Sequence, residues 1–186
     1  MNSGLMNFNL PKQYEWISKE PAPAIFREAL KLYGTKETKG NASNPQILMW
    51  ANEIKNYLGI EYNSDSMPWC GLFIGICAKR AFYNPPPICL RAKSWLKFGR
   101  DVDTPMFGDI LVFERPQGGH VGLYIAEDET SFYVLGGNQS DKVCIVPINK
   151  DRIISARRCI WKVKQPENVR QIFIKPTGEI LSTNER

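Results

Sequence analysis

The hydrophobic spacing of this chain changes near residue 100, and that change limits the folds the chain can adopt. Before residue 100, apolar residues recur three or four positions apart, as they do on one face of a helix. After it, apolar and polar residues alternate in short runs between turn residues. Helices followed by strands predict an α+β fold, because α/β folds interleave the two. The short gaps between the strand segments predict an antiparallel meander.

Turn and capping residues set the predicted boundaries. Gly34 lies where a C-cap glycine would end a first helix, and Asn44 followed by Pro45 offers an N-cap with proline in the first helical position. The three prolines at 85–87 must end a third helix. The predicted helices span residues 24–33, 45–58, 70–82 and 91–98, and the predicted strands span residues 110–114, 120–127, 131–135, 143–147 and 157–164.

A chain of 186 residues is long enough for one domain with a substantial core. We expect residues 1–20 to be irregular, residues 21–164 to form the domain, and residues 165–186 to be a C-terminal tail or hairpin. The first twenty residues lack the pattern of a signal peptide, which predicts synthesis in the cytoplasm without a leader. No apolar run is long enough to cross a membrane, so we expect no stable membrane insertion.

Composition says little about partners. The net charge of +5 suits a polyanion such as a cell wall, although a basic surface without a special role is the simpler explanation. The basic residues are scattered, without the interleaved aromatic residues of single-strand binders, so no nucleic-acid partner is expected.

The cysteines and the histidine bear on metals and redox state. The five cysteines are odd in number and no pair has CxxC spacing, which disfavours a disulfide framework or a zinc site and favours reduced thiols. With one histidine and no acidic cluster, we expect no metal and no cofactor. The cysteines are Cys70, Cys77, Cys89, Cys144 and Cys159.

Two residues are candidates for nucleophilic chemistry. His120 is the only histidine, so it is the obvious base at neutral pH, and it opens an apolar strand after two glycines. Cys70 begins the third predicted helix, where unpaired N–H groups and the helix dipole lower a thiol pKa and can stabilise an oxyanion. The alternatives stay open: a structural histidine, and a cysteine that is a small buried apolar residue.

A third candidate lies in the segment 136–141, Gly-Gly-Asn-Gln-Ser-Asp. The end of one antiparallel strand lies near the start of its neighbour, so Asn138 could orient the ring of His120. A plain turn residue is the equal alternative. Trp69 and Trp95 are most simply core residues, with a place in the cleft as the alternative for Trp95.

Four segments carry a resemblance to a known family: Pro-Trp-Cys-Gly-Leu-Phe at 68–73, Gly-Asp-Ile-Leu-Val-Phe at 108–113, Gly-His-Val-Gly-Leu-Tyr at 119–124 and Leu-Gly-Gly-Asn-Gln-Ser-Asp at 135–141. In this order and spacing they resemble the motifs of NlpC-type and CHAP-type peptidoglycan hydrolases. Residues 91–96 and 178–185 resemble a subgroup common in phages and prophages.

The resemblance implies a papain-like α+β fold, with N-terminal helices packed on a C-terminal antiparallel sheet. It makes Cys70 the nucleophile, His120 the base and then the acid, and Asn138 the orienting residue. The Cys70 N–H would contribute to the oxyanion hole. One departure is Gly136, because many CHAP-type members have a glutamate two positions before the asparagine. The expected substrate contacts are Trp69, Trp95 and Gln139, and Gln139 and Tyr62 are the candidate side-chain oxyanion donors.

The implied function is a peptidoglycan amidase or endopeptidase, either a phage lysin or a delivered antibacterial effector. We expect a monomer that acts at the cell wall, with peptidoglycan as its partner and an immunity protein if it is a toxin. The alternatives are a cysteine protease acting on another amide, and a wall-binding or phage structural module that has lost catalysis.

Overall fold

The computed structural model describes residues 8–161, 164, 169–175 and 180. A layer of helices from the first half of the chain packs on a six-stranded antiparallel sheet from the second half. The predicted α+β fold is confirmed, since helices precede strands along the chain and meet in one main core.

The helical layer is close to the prediction, with one break. Asn44 caps α2, because its side-chain oxygen accepts the Gln46 N–H at 2.8 Å. The predicted single helix over 45–58 is divided at Ile54, whose φ of −116° is not helical. The α-helices are α1 (Ala24–Lys31), α2 (Pro45–Glu53), α3 (Lys55–Leu58) and α4 (Cys70–Arg80), and the 3-10 helices are Lys12–Lys19, Ala92–Lys97 and Lys150–Arg152.

The sheet has the order β1-β6-β2-β3-β4-β5, with all pairs antiparallel. The predicted meander is present as β2 to β5, and β6 returns to pair with β2. The last strand lies earlier than the predicted 157–164, because residues 153–158 pair with both β1 and β2. The strands are β1 (Arg100–Val102), β2 (Ile110–Arg115), β3 (Gly118–Glu127), β4 (Ser131–Gly136), β5 (Cys144–Asn149) and β6 (Ile153–Arg158).

Helix α4 lies at the centre of the molecule. Every residue from Cys70 to Ala78 is buried, and the helix packs against α1, α2 and β3. The absence of a side chain at Gly71 allows this packing, since a Cβ there would lie 2.3 Å from the Cys89 carbonyl oxygen. The buried apolar surface of α4 therefore fixes the position of its first residue against the sheet.

A buried ion pair holds the start of β2 to β6. Arg158 donates from Nη2 to Asp109 Oδ2 at 2.7 Å and from Nε to Oδ1 at 2.9 Å. Asp109 also accepts the Met106 N–H at 2.8 Å, so this buried carboxylate holds the segment before β2 as well. Burial raises the pKa of Asp109, and Arg158 opposes this rise.

The segments outside the predicted domain contribute to the core. The first twenty residues, predicted to be irregular, include the 3-10 helix Lys12–Lys19, in which Tyr14 and Ile17 are buried. Ile172 and Ile174 are also buried. The Ile172 carbonyl accepts the Glu127 N–H, and the Ile174 N–H donates to the Glu127 carbonyl. The predicted tail or hairpin lies largely outside the described residues. Among those that are described, no helix has the length and apolar character needed to cross a membrane.

Candidate active site

A cleft of about 750 Å³ opens beside the N-terminus of α4. One wall comes from the turn between β2 and β3, and another from the segment that leads into the 3-10 helix Ala92–Lys97. The lining includes Met67, Pro68, Cys70, Leu90, Arg91, Lys93, Arg115, Gly119 and Asn138.

Cys70 is the first residue of α4 and reaches this cleft, although only 6% of the residue is exposed. The first helical hydrogen bond of α4 is donated by the Phe73 N–H to the Trp69 carbonyl. The N–H groups that precede Phe73 in α4 therefore have no partner within the helix. These groups can stabilise negative charge that develops on a substrate oxygen beside Cys70.

The Cys70 thiol is neutral at rest. The expected lowering of the thiol pKa by the helix start is wrong, because burial raises the pKa of Cys70 and outweighs the opposing backbone N–H of Val121, charge of Arg115 and N–H of Gly71. Val121 follows His120 directly, so the thiol lies against the strand that carries the histidine. The nucleophile therefore needs a base to remove its proton when it attacks.

His120 is held from one side by Gln139. The ring nitrogen Nε2 lies 2.8 Å from Gln139 Oε1, and the Gln139 amide nitrogen donates to the carbonyls of Cys144 at 2.6 Å and Val134 at 3.2 Å. Because those two carbonyls fix the amide orientation, Oε1 is an acceptor and Nε2 of His120 must carry the hydrogen. The lone pair of the neutral ring is therefore on Nδ1.

The other ring nitrogen is available for proton transfer. Nδ1 of His120 is buried and has no hydrogen-bond partner within the part of the chain described. Burial, together with the charges of Arg115 and Arg152, lowers the pKa of His120 to about 4, although the bond to Gln139 opposes this shift. At neutral pH the ring is uncharged, and Nδ1 can accept a proton.

The structure places Asn138 differently from the prediction. The residue lines the cleft with φ at +54°, and its amide lies against Glu37 and Trp69 rather than against the His120 ring. Turned to face its donors, the Asn138 oxygen accepts from the Trp69 N–H at 3.3 Å and the indole at 3.0 Å. The orienting position assigned to Asn138 is occupied by Gln139, one residue later.

Two glycines make room for this arrangement. A Cβ on Gly136 would lie 2.6 Å from Gln139 Oε1 and 3.2 Å from His120 Nε2. A Cβ on Gly137 would lie 2.5 Å from the Phe73 side chain. The Gln139 side chain fills the space that a side chain at position 136 would need. This packing explains why the chain has glycine where many members of the resembled family have glutamate.

The residues predicted to contact the substrate are instead buried and bond to other parts of the protein. Trp69 and Trp95 are fully buried, and the cleft lining includes neither of them. The Trp69 indole donates to Glu37 at 2.7 Å and the Trp95 indole donates to the Cys89 carbonyl at 2.9 Å. Gln139 is 4% exposed and directed at His120, so it contacts neither a substrate nor an oxyanion. The Tyr62 hydroxyl donates to the Met67 carbonyl at 3.2 Å.

The cleft also has basic residues that the sequence analysis did not single out. Arg91, Lys93 and Arg115 line it. Arg91 and Lys93 belong to the segment 91–96 that carries the resemblance to the phage subgroup, and Arg115 precedes a Pro-Gln turn that leads to the strand of His120. The basic residue next to this turn was the sequence feature that could have predicted a charged cleft wall.

The remaining cysteines do not form a second centre. All five cysteines lie within the described residues, and all are buried and free of disulfides. In the described ranges, no group of three or more His, Cys, Asp or Glu side chains is placed to hold a metal ion.

Fold and site together define an α+β protein with a thiol in the lining of a cleft and a buried imidazole that is oriented by an amide. No family model and no curated protein matches the chain. Among solved structures, it is similar to a Staphylococcus aureus subsp. aureus Mu50 protein described as similar to lipoprotein, NLP/P60 family. The identity is 17% and the TM-score 0.45, with 82% of this chain and 50% of that chain covered. The chain thus spans about half the length of that protein.

Proposed function

We propose that this protein is a papain-like cysteine hydrolase that cleaves amide bonds of peptidoglycan. The observation that carries the proposal is the pair of different environments around the His120 ring. Nε2 is fixed by Gln139, while Nδ1 is buried and unpartnered in the described structure, beside the strand residue that touches the Cys70 thiol. A purely structural histidine would have no need of an oriented ring with an unused lone pair.

The geometry supports a general-base mechanism. Nδ1 of His120 takes the Cys70 proton as Sγ bonds to the amide carbonyl carbon, and the Cys70 backbone N–H stabilises the oxyanion. The intermediate then collapses, the C–N bond breaks, and the proton on Nδ1 passes to the leaving amine. Water attacks the thioester carbon as Nδ1 of His120 takes its proton. The C–S bond then breaks, the acid product leaves, and the proton on Nδ1 returns to the Cys70 thiolate.

Peptidoglycan is the substrate class that the cleft and the motifs favour together. The cleft is open at the surface and lined with three basic side chains, which suits an anionic polymer. The four segments around Cys70, Gly108, His120 and Asn138 resemble those of NlpC-type and CHAP-type hydrolases. In this proposal the enzyme is a monomeric phage lysin or a delivered effector with an immunity partner, and it acts at the cell wall.

The test is digestion of purified peptidoglycan sacculi, with the released fragments identified by mass. The wild type and Cys77→Ala are expected to release the same fragments, and Cys70→Ala none. Cys77→Ala is the matched control, because Cys77 lies on the same helix and away from the cleft lining. Fragments from Cys70→Ala would refute the thiol mechanism. No fragments from folded wild type would favour another amide substrate or an inactive wall-binding or phage structural module.

A further inference from the structure

The cleft beside Cys70 is lined by cations and, among the described residues, by no acidic side chain. One of the three cations is already neutralised, since Lys93 donates to Glu114 at 2.8 Å. Arg91 and Arg115 are exposed, and neither guanidinium has an ion pair or hydrogen bond with another described residue. The cleft thus presents two free guanidinium groups.

Arg115 has a fixed backbone position near the nucleophile. It is the last residue of β2 and pairs with Gly118 across a two-residue turn. Arg152 supports the same strand end by donating to the Glu114 carbonyl at 3.2 Å. The charge of Arg115 reaches both reactive groups, because it lowers the pKa of Cys70 and of His120. Because Arg115 and Cys70 line the same cleft, a substrate group held by Arg115 would lie near the scissile bond.

We propose that Arg115, assisted by Arg91, binds a free carboxylate of the substrate next to the scissile amide and makes the enzyme selective for peptides that carry it. A guanidinium group binds a carboxylate through two parallel hydrogen bonds, which gives both affinity and direction. Within the described part of the chain, the cleft lining has no acidic side chain to compete for these donors, and the neighbouring Glu114 is paired with Lys93. This inference rests on the proposed hydrolase function and names the chemistry that its substrate must carry.

The experiment compares two forms of one substrate. Muropeptides released from sacculi by a muramidase are used directly, or after their free carboxyl groups have been converted to carboxamides. Cleavage is measured as kcat/KM for wild type, Arg115→Gln, Arg115→Lys and Arg27→Gln. Binding is measured by calorimetry in the Cys70→Ala background. Arg27 is the matched control, because it is exposed on α1 and is not part of the cleft lining.

The wild type and Arg27→Gln are expected to prefer the carboxylate form by about tenfold or more in kcat/KM and in affinity. Arg115→Gln should cleave the two forms equally well. Arg115→Lys should recover part of the preference, because an ammonium group supplies the charge but not the two parallel hydrogen bonds. If Arg115 acted only through the pKa of Cys70 and His120, Arg115→Gln would slow both forms equally, and the proposal would be overturned. A preference unchanged by Arg115→Gln would also overturn it.

The two arms separate this proposal from the hydrolase function. Preferential, Arg115-dependent binding without cleavage by wild type would support the carboxylate site and refute the hydrolase. Cleavage of both forms at equal rates would support the hydrolase and refute the carboxylate site. Neither binding nor cleavage would refute both.

Discussion

The side-chain oxygen of Gln139 lies 2.8 Å from Nε2 of His120, while the amide nitrogen of the same residue donates to two backbone carbonyls. Gln139 is thereby anchored by the ends of β4 and β5 and orients the ring without carrying a charge. A carboxylate in this position would favour a protonated ring, whereas the amide leaves burial to keep the ring neutral.

Replacing Gln139 should impair catalysis more than binding. In Gln139→Ala the ring of His120 loses its anchor, and we expect kcat to fall about 100-fold with little change in KM. The carbonyls of Val134 and Cys144 also lose their donor, at a cost of about 1–3 kcal/mol in unfolding free energy. Steady-state kinetics and urea unfolding measure both effects.

Asn138→Ala is the comparison for that variant. Asn138 lines the cleft but does not contact the ring, so its replacement should slow turnover less than that of Gln139. The reverse order of losses would return the orienting function to Asn138.

Two cysteines on one helix separate chemistry from packing. Cys70→Ala should abolish hydrolysis and leave the fold intact, because the thiol lies in the cleft lining and a methyl group replaces it without adding bulk. Cys77 is fully buried, so Cys77→Ala should lower the unfolding free energy by about 1 kcal/mol and retain activity per folded molecule. Activity assays with circular-dichroism melting curves check both; an inactive, fully folded Cys77→Ala would contradict the assignment.

The acid limb of the activity profile should lie far below the usual histidine range. His120 must be neutral to act as a base, and its pKa is about 4 because it is buried beside Arg115 and Arg152. We expect kcat/KM to stay level from neutral pH down to about 5 and to fall as pH approaches 4. A limb near pH 6.5 would show that the ring titrates as an exposed histidine does.

The same shift affects folding stability. Between pH 6.5 and about 4, the unfolded chain holds a proton on His120 that the folded chain does not. The free energy of unfolding therefore falls by about 3 kcal/mol as the pH is lowered from 6.5 to about 4. His120→Gln should remove that share of the pH dependence, as measured by chemical denaturation; identical slopes in both proteins would contradict a depressed pKa.

Gly136 can be tested by adding a single methyl group. In Gly136→Ala the new Cβ would press on Gln139 Oε1, so we expect activity to fall at least about tenfold, because the His120 ring must shift. Gly40→Ala is the control: its φ of +85° makes alanine strained, but nothing lies near the new methyl group. Gly40→Ala should lose stability and keep its activity, and equal activity losses in both would implicate stability instead.

The sequence predicted the elements whose signals are local. The Asn44-Pro45 cap, the helix that begins at Cys70 and the meander after residue 108 all appear, because capping residues and alternation act over a few positions. The pairing of β6 with β2 joins segments about forty residues apart, so no local pattern could give its register. The three-residue β1 is formed by pairing with β6.

At the site, the sequence indicated Cys70 and His120 but not the partner of the ring. Asn138 and Gln139 are adjacent polar residues, and which of them turns inward depends on the backbone after β4. There Asn138, Ser140 and Asp141 all have positive φ, so strand alternation no longer applies. The basic lining of the cleft comes from two separate segments that only the fold brings together.

The burial of α4 determines the order in which parts of this protein would unfold. Regions that open in small local fluctuations are those with exposed backbone and few apolar contacts, whereas a helix enclosed on all sides exchanges its amide hydrogens only when the whole domain opens. The helix behind Cys70 belongs to that slowest-exchanging segment, while Arg115 lies at the exposed end of β2. Heating or mild denaturant would thus alter which substrates are admitted before it displaces the nucleophile, and the thiol would stay in place until the domain melts.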